Sequence, residues 1–383
     1  MQHSCLALPE KLNGSTQGQP FCRRYFASIL SPWRTATDFI PGGRLFSPKP
    51  PAYPLPEKRQ LAMLLPFQAS RFGTALWQVL STFALYFACT AAMYVSARYS
   101  IWLTLALAIP ASGLVVRIFM LQHDCGHNSL FRTRRANTIV GSLCSLITLT
   151  PFAYWRRLHA RHHGSWNDLD GRGIPADFFS DCVTVAEYGA MNRGQKLLYR
   201  VSHHPVLLHF LLPPIVFLLL YRVPFDTPAS ATKERISVFL LDVSLAVLIA
   251  GLIMIFGFGT VVLVHLPALV MAAIIGIWLF TVQHRFEDAQ WARGEDWNHA
   301  RASLQGTSYL RLPPVLQWFS GNIGLHHVHH LRPGIPNYRL QACHDACGAV
   351  TQAATVLTLR EALGAPSFAL WDEDLNRMVP FPS

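Results

Sequence analysis

The apolar residues of this chain are collected into four long blocks, at residues 75–97, 100–121, 236–256 and 258–282. They do not recur at the three-to-four spacing of a helix that buries one face. About 20 predominantly apolar residues carry a helix across a hydrocarbon core, so each block predicts a membrane-spanning helix. The first two blocks are separated by Arg98 and Tyr99 and the last two by Gly257 alone, which predicts two tight hairpins. Two shorter apolar stretches, 138–155 and 205–221, are expected to be interfacial or re-entrant. The second contains Pro213-Pro214, which interrupts helical hydrogen bonding. Residues 1–60 are rich in Pro, Gly and Ser and hold no apolar run long enough for a signal peptide, so they are expected to form a disordered arm. The main domain is expected at 61–365, and 366–383 reads as a second irregular tail. Together these expectations give an all-α integral membrane protein, two hairpins with a helical cap on one side.

Charge placement orients this scheme. The chain carries 32 Lys and Arg against 21 Asp and Glu, a formal charge of +11. Nine basic residues precede position 75, ten lie in 122–204, three in 222–235 and eight after 282, which leaves only Arg98 in a hairpin connection and Arg117 near the inner end of the second block. The positive-inside rule then predicts that both termini and the whole middle segment face the cytoplasm. A full span at 205–221 would put the chain beyond it on the opposite side, and Arg222, Lys233 and Arg235 argue against that. Basic residues spread over every loop suit anionic headgroups better than nucleic acid, and no nucleic-acid partner is expected. The eight cysteines fall in positions where reduced thiols are expected, and Cys343 and Cys347 read as ordinary helix residues.

The candidate chemistry is carried by histidine. Three clusters read His123-Asp124-Cys125-Gly126-His127, His159-Ala160-Arg161-His162-His163 and His326-His327-Val328-His329-His330. Helical positions three and four apart share a face, so each cluster can aim two or three imidazoles at one point. Neutral imidazole suits iron, copper, nickel and zinc, and eight imidazoles are enough for two metals. His284, where the fourth block ends, is a ninth candidate. His327 lies off the shared face and reads as structural, as do His3, His203, His204, His209, His265, His299 and His344. Asp124, Asp168, Asp170, Asp177, Glu287 and Asp288 are available to orient the imidazoles. Gly321 and Gly324 precede the third cluster and permit close backbone packing beside it.

The runs QHDCGHNSLF, RRLHARHHGSWNDLDGRG, VQHRFEDAQW and GNIGLHHVHHLRPGIPNYRL resemble those of the membrane fatty acid desaturase family, in particular the bacterial and cyanobacterial acyl-lipid enzymes of the omega-6 (delta-12) type. The resemblance covers roughly residues 60–365. It implies a non-haem diiron centre that uses dioxygen as co-substrate and two electrons to remove two neighbouring hydrogens from an acyl chain, leaving a cis double bond. Carried onto this sequence, the ligands of the two iron ions are His123, His127, His159, His162, His163, His326, His329 and His330, with His284 added and Asn322 a candidate for a further position. The substrate is expected to be a membrane-lipid acyl chain held in a long apolar tunnel, and the setting a bacterial cytoplasmic (inner) membrane with the site on the cytoplasmic side. The chain has no Gly-rich dinucleotide motif, haem motif or iron–sulfur cysteine set, so its electrons are expected from ferredoxin, rubredoxin or a b-type cytochrome. The same boxes also serve hydroxylases and ketolases acting on acyl chains, alkanes or carotenoids. A membrane metal transporter or sensor is a more distant alternative, since transporters set their ligands near the bilayer midplane.

Overall fold

The computed structural model describes residues 56, 58–173 and 177–382, so the expected N-terminal arm falls almost wholly outside the described residues. Among the described residues, four helices are long and apolar enough to cross a membrane: α1, Phe72–Ser96; α2, Ile101–Gly126; α5, Thr232–Phe256; and α6, Phe258–His284. The intervening bent helices are α3, Arg134–Thr148, and α4, Phe152–Ser165. The four long helices match the four apolar blocks, with one difference that matters. α2 and α6 continue past the apolar residues, to Gly126 and His284, so the first box and His284 sit on the last turns of the spanning helices themselves.

Local chemistry explains the boundaries. Ser100 takes an extended backbone and its side chain accepts the Leu103 N–H at 3.3 Å, which caps α2 and starts it immediately after α1. Gly257, with φ of 80°, makes the one-residue turn between α5 and α6 in a conformation that favours glycine. α2 is the central helix: 56% of its apolar window is buried, against 17% to 33% for the other three. Outward-facing positions are large and apolar, among them Trp77, Trp102, Val247 and Ile255, as a hydrocarbon solvent requires. Several ionisable groups in and beside the spans have partners. Arg117 donates to Thr82 Oγ1 at 3.1 Å and lies over the Trp318 ring at 4.0 Å; Arg222 pairs with Asp242 at 2.8 Å; and His265 meets the Tyr94 hydroxyl at 2.9 Å.

Neither of the shorter apolar stretches is one straight helix. α3 and α4 are bent by 100° across Leu149–Pro151, where Leu149 is left-handed (φ 55°) and Pro151 blocks helix continuation. The Phe152 ring fills the place a Cβ would take at Gly141, and so closes the bend. The second stretch follows Arg193–Ser202 at a 48° bend and opens with a π-turn over Leu207–Leu211, just before the two prolines.

The described residues are mostly helical, as expected, with short strands in addition. Short strands β1 (Val183–Thr184), β2 (Ser308–Arg311), β3 (Thr355–Thr358), β4 (Leu370–Asp372) and β5 (Arg377–Val379) form two small sheets, one ordered β1-β4-β5 and one pairing β2 with β3 in parallel. Strands of two to four residues are too short for alternation to show in the sequence. The segment read as an irregular tail therefore ends in a hairpin, β4 and β5. Its Trp371 and Met378 are buried, and the Met378 N–H donates to the Glu287 carbonyl at 2.8 Å, fixing the chain just beyond α6.

β2 also seats the loop that leads into the third box. Leu310 N–H donates to the Gly324 carbonyl at 2.8 Å, and a Cβ at Gly324 would overlap the Leu310 carbonyl oxygen. Gly324→Ala must therefore push two backbones apart. We expect it to cost about 1–3 kcal/mol, the usual range for overpacking. A lowered thermal midpoint in detergent would show this. Gly259→Ala, where a Cβ meets nothing within 4 Å, should leave that midpoint in place.

Candidate metal centre

Four elements deliver imidazoles to one place. α2 contributes His123 and, at its C-cap, His127; α4 contributes His159, His162 and His163; α6 ends in His284; and α7, His326–Leu331, carries His326, His329 and His330. All nine candidates meet, in two groups. The first is His123, His127, His159, His163 and His329, one ring nitrogen of each lying within 4.8 Å of every other. Its centre is His159, whose Nε2 is 3.0 Å from that of His123, 2.9 Å from that of His127 and 3.1 Å from that of His163. The second is His162, His284 and His330. His326 completes it, with Nε2 2.9 Å from His284 Nε2 and 3.0 Å from His330 Nε2. The groups abut where the His163 and His330 rings stack at 4.1 Å.

This arrangement fits bound cations. A neutral imidazole has one proton for two nitrogens, and the Nε2 atoms here point at one another at about hydrogen-bond distance. His159 Nε2 faces three such neighbours and can share a proton with only one of them, so lone pairs are left face to face unless a positive charge lies between. Burial, and then the charge of neighbouring imidazoles, holds His159, His163, His326, His329 and His330 well below the ordinary histidine range. They are therefore kept in the neutral form that binds metal.

Of the six carboxylates named from the sequence, one hydrogen-bonds a box imidazole: Asp177 Oδ1 accepts from His162 Nδ1. Asp124, 3.8 Å from His123 Nδ1, spends its other oxygen on Asn337, accepting the backbone N–H at 2.7 Å and the amide at 2.8 Å. It thereby ties α2 to α8, Asn337–Ala346, which follows the third box. Asp170 pairs with Arg293 and Glu287 with Arg377, both at 3.1 Å. Asp168 closes a local turn onto the Asp170 N–H, and the Asp288 backbone carbonyl accepts from Gln290. Asn322, the candidate for a further ligand, is a left-handed turn residue whose amide donates to the Asn337 carbonyl at 2.9 Å, so its side chain is committed away from the cluster.

The histidines set aside are occupied elsewhere. His327 pairs with His344 at 3.1 Å, His203 stacks on Tyr199, His204 accepts from the Val206 N–H, His209 bonds the Pro205 carbonyl, and His299 meets the edge of Trp166; His3 lies outside the described residues. Cys343 and Cys347 are buried among apolar side chains. Sequence reasoning missed the aromatic walls. Trp155 stacks on His159 at 4.6 Å, Trp166 lies 4.4 Å from His330, and Phe280 is 5.1 Å from both His162 and His284. The available signal was spacing: Trp155 stands four residues before His159 and Trp166 three after His163, on the same helical face.

The fatty acid desaturase family model matches residues 99–358, a stretch that contains every one of these imidazoles. The chain belongs to the fatty acid desaturase family. A Bacillus subtilis protein named fatty acid desaturase is 38% identical over 325 residues, covering 85% of this chain and 91% of its own. A Synechocystis protein named sn-1 oleoyl-lipid 12-desaturase is 28% identical over 235 residues, 60% of this desaturase and 63% of that protein. An Arabidopsis thaliana chloroplastic omega-6 fatty acid desaturase is 25% identical over 258 residues, 64% of this chain and 53% of its own.

Two outcomes follow from the geometry. Asp177→Asn removes the carboxylate behind His162, and loss of such a partner typically lowers metal affinity about 10–100-fold. Metal retained against a competing chelator measures it. The second concerns pH. In the unfolded chain these imidazoles take up protons near 6.5, while the folded protein holds them neutral to well below that value. The unfolded state then binds more protons, so stability of the metal-free protein falls as pH drops through 6.5 and continues to fall toward the lowered values. Thermal unfolding of chelator-treated protein between about pH 7.5 and 5 should show a midpoint that declines only in the lower part of that window.

Proposed function

We propose that this desaturase introduces a cis double bond into the acyl chain of a membrane lipid, with dioxygen as co-substrate and two irons as its metal. The observation that carries the reading is the convergence of nine imidazoles, in groups of five and four, at the ends of two apolar helices. One iron would be held by His123, His127, His159, His163 and His329, the other by His162, His284, His326 and His330. Bound there, the irons supply the oxidising power that an unactivated methylene demands.

The remaining work belongs to the chain. Trp155, Phe119, Phe217 and Phe280 form an apolar wall against the imidazoles, with Phe119 5.2 Å from Trp155 and 6.4 Å from Phe217. Such a wall keeps water from the reacting carbon and accepts a saturated chain, which offers no polar handle. A lipid-linked substrate agrees with α2 and α6 reaching the site from within an apolar bundle, and with the oleoyl-lipid named for the Synechocystis relative. The distribution of Lys and Arg supports a bacterial inner-membrane topology with termini and site on the cytoplasmic face. Two electrons per turnover would come from ferredoxin, rubredoxin or a b-type cytochrome. The ligands lie at helix ends, away from the bilayer midplane, which favours an enzyme over a metal transporter.

Expression in a host of simple lipid composition, followed by gas chromatography of fatty-acid methyl esters, tests the reading. The expected result is a new cis-unsaturated ester that disappears with His162→Ala. An oxygenated ester with no olefin would reassign the protein as a hydroxylase or ketolase. A product that survives His162→Ala would refute the ligand set.

A further inference from the structure

A cleft of about 320 Å³ opens on the surface beside the second box, and Trp297, Trp291, Trp371 and Arg301 are among the residues that line it. Trp297 is half-buried at its wall. Its ring meets that of Trp166 edge-on, with centroids 5.8 Å apart. Trp166 is fully enclosed, and its ring lies 4.4 Å from His330 of one imidazole group and 6.0 Å from His163 of the other. A continuous line of indoles thus runs from both groups to the cleft.

Both indoles are set up to carry positive charge. Trp166 Nε1 donates to the Ala302 carbonyl at 3.2 Å, and Trp297 Nε1 donates to the Trp166 carbonyl at 2.9 Å, so a carbonyl oxygen faces each ring nitrogen. Indole is among the most easily oxidised side chains, and a carbonyl dipole aimed at it stabilises its radical cation. Trp155 touches the imidazoles as closely, but the ring behind it is Phe119, which resists oxidation and leads nowhere.

We propose that Trp166 and Trp297 form an escape route that drains oxidising equivalents from the metal centre when no acyl chain is present to consume them. This rests on the oxygen-activating reading above. Trp166 would give up one electron toward the imidazole groups and become a radical cation. Trp297 refills Trp166 with one electron, and a soluble thiol entering the cleft refills Trp297, releasing a proton and becoming a thiyl radical. Two passes dispose of two oxidising equivalents at the cost of two thiols, and the box histidines are spared.

The test uses the full chain loaded with iron, given a chemical reductant and oxygen without acyl lipid. Oxygen uptake is recorded, and oxygen additions to tryptophan and histidine are then mapped by peptide mass spectrometry, with and without reduced glutathione. In the wild type, additions should concentrate on Trp297 over the neighbouring Trp291 and Trp371, and glutathione should suppress them. Trp166→Phe should lower Trp297 oxidation several-fold and raise oxidation of the box histidines at equal iron content. Trp297→Phe, at a half-exposed position that threatens folding less, should move the additions to Trp166. Trp297 oxidation that is unchanged in Trp166→Phe, at unchanged oxygen uptake, would overturn the route in favour of diffusing peroxide. No oxygen uptake by the iron-loaded wild type would overturn the oxygen-activating reading, and the route with it.

Discussion

Nine imidazoles packed together in two abutting groups is an arrangement that water would disperse and protons would break apart. It persists only where the rings are dry, uncharged and held from behind. Much of the structure can be understood as meeting those conditions. Aromatic rings line the exposed sides of the imidazoles, and burial keeps His159, His163, His326, His329 and His330 neutral. The Asp124–Asn337 contact locks the first box to the chain just after the third. Short strands secure loops that have no other regular structure, with β2 under the third-box turn and the C-terminal hairpin under the segment beyond His284.

The spans and the boxes were legible because each is dense in the sequence. Apolar blocks of 20 or more residues admit few interpretations in water, and histidines three and four apart on a helix share a face. The division of labour among the imidazoles was hidden. His162 and His163 are consecutive yet serve different groups, as do His329 and His330. Neighbours on a helix point about 100° apart, so a single box can feed two centres lying side by side, whereas reading each box as a unit suggests one target apiece.

Contacts made through loops were equally invisible. Asp177 stood among six candidate carboxylates with nothing in its neighbourhood to single it out, and its pairing with His162 depends on how the intervening chain turns back. Asn322 illustrates the reverse. The family resemblance suggested it as a further ligand, but a left-handed backbone and an amide committed to Asn337 make it part of the turn. The C-terminal hairpin escaped notice because main-chain bonds to Ala369 and Glu287 hold it, and such bonds leave no residue signature.

α6 runs unbroken for 27 residues, about 40 Å at 1.5 Å per residue, and α2 for 26. A hydrocarbon core is only about 30 Å thick, so both helices have length to spare, and the surplus turns carry His123 and His284. The candidate metal site is therefore mounted on the surplus turns of two long apolar helices. When a membrane thickens or thins, helices answer by tilting, at a fraction of a kcal/mol per ångström. His123 and His284 sit on different helices, so the distance between them depends on how α2 packs against α6. A desaturase built this way carries its imidazoles on the same helices that are long and apolar enough to cross a bilayer.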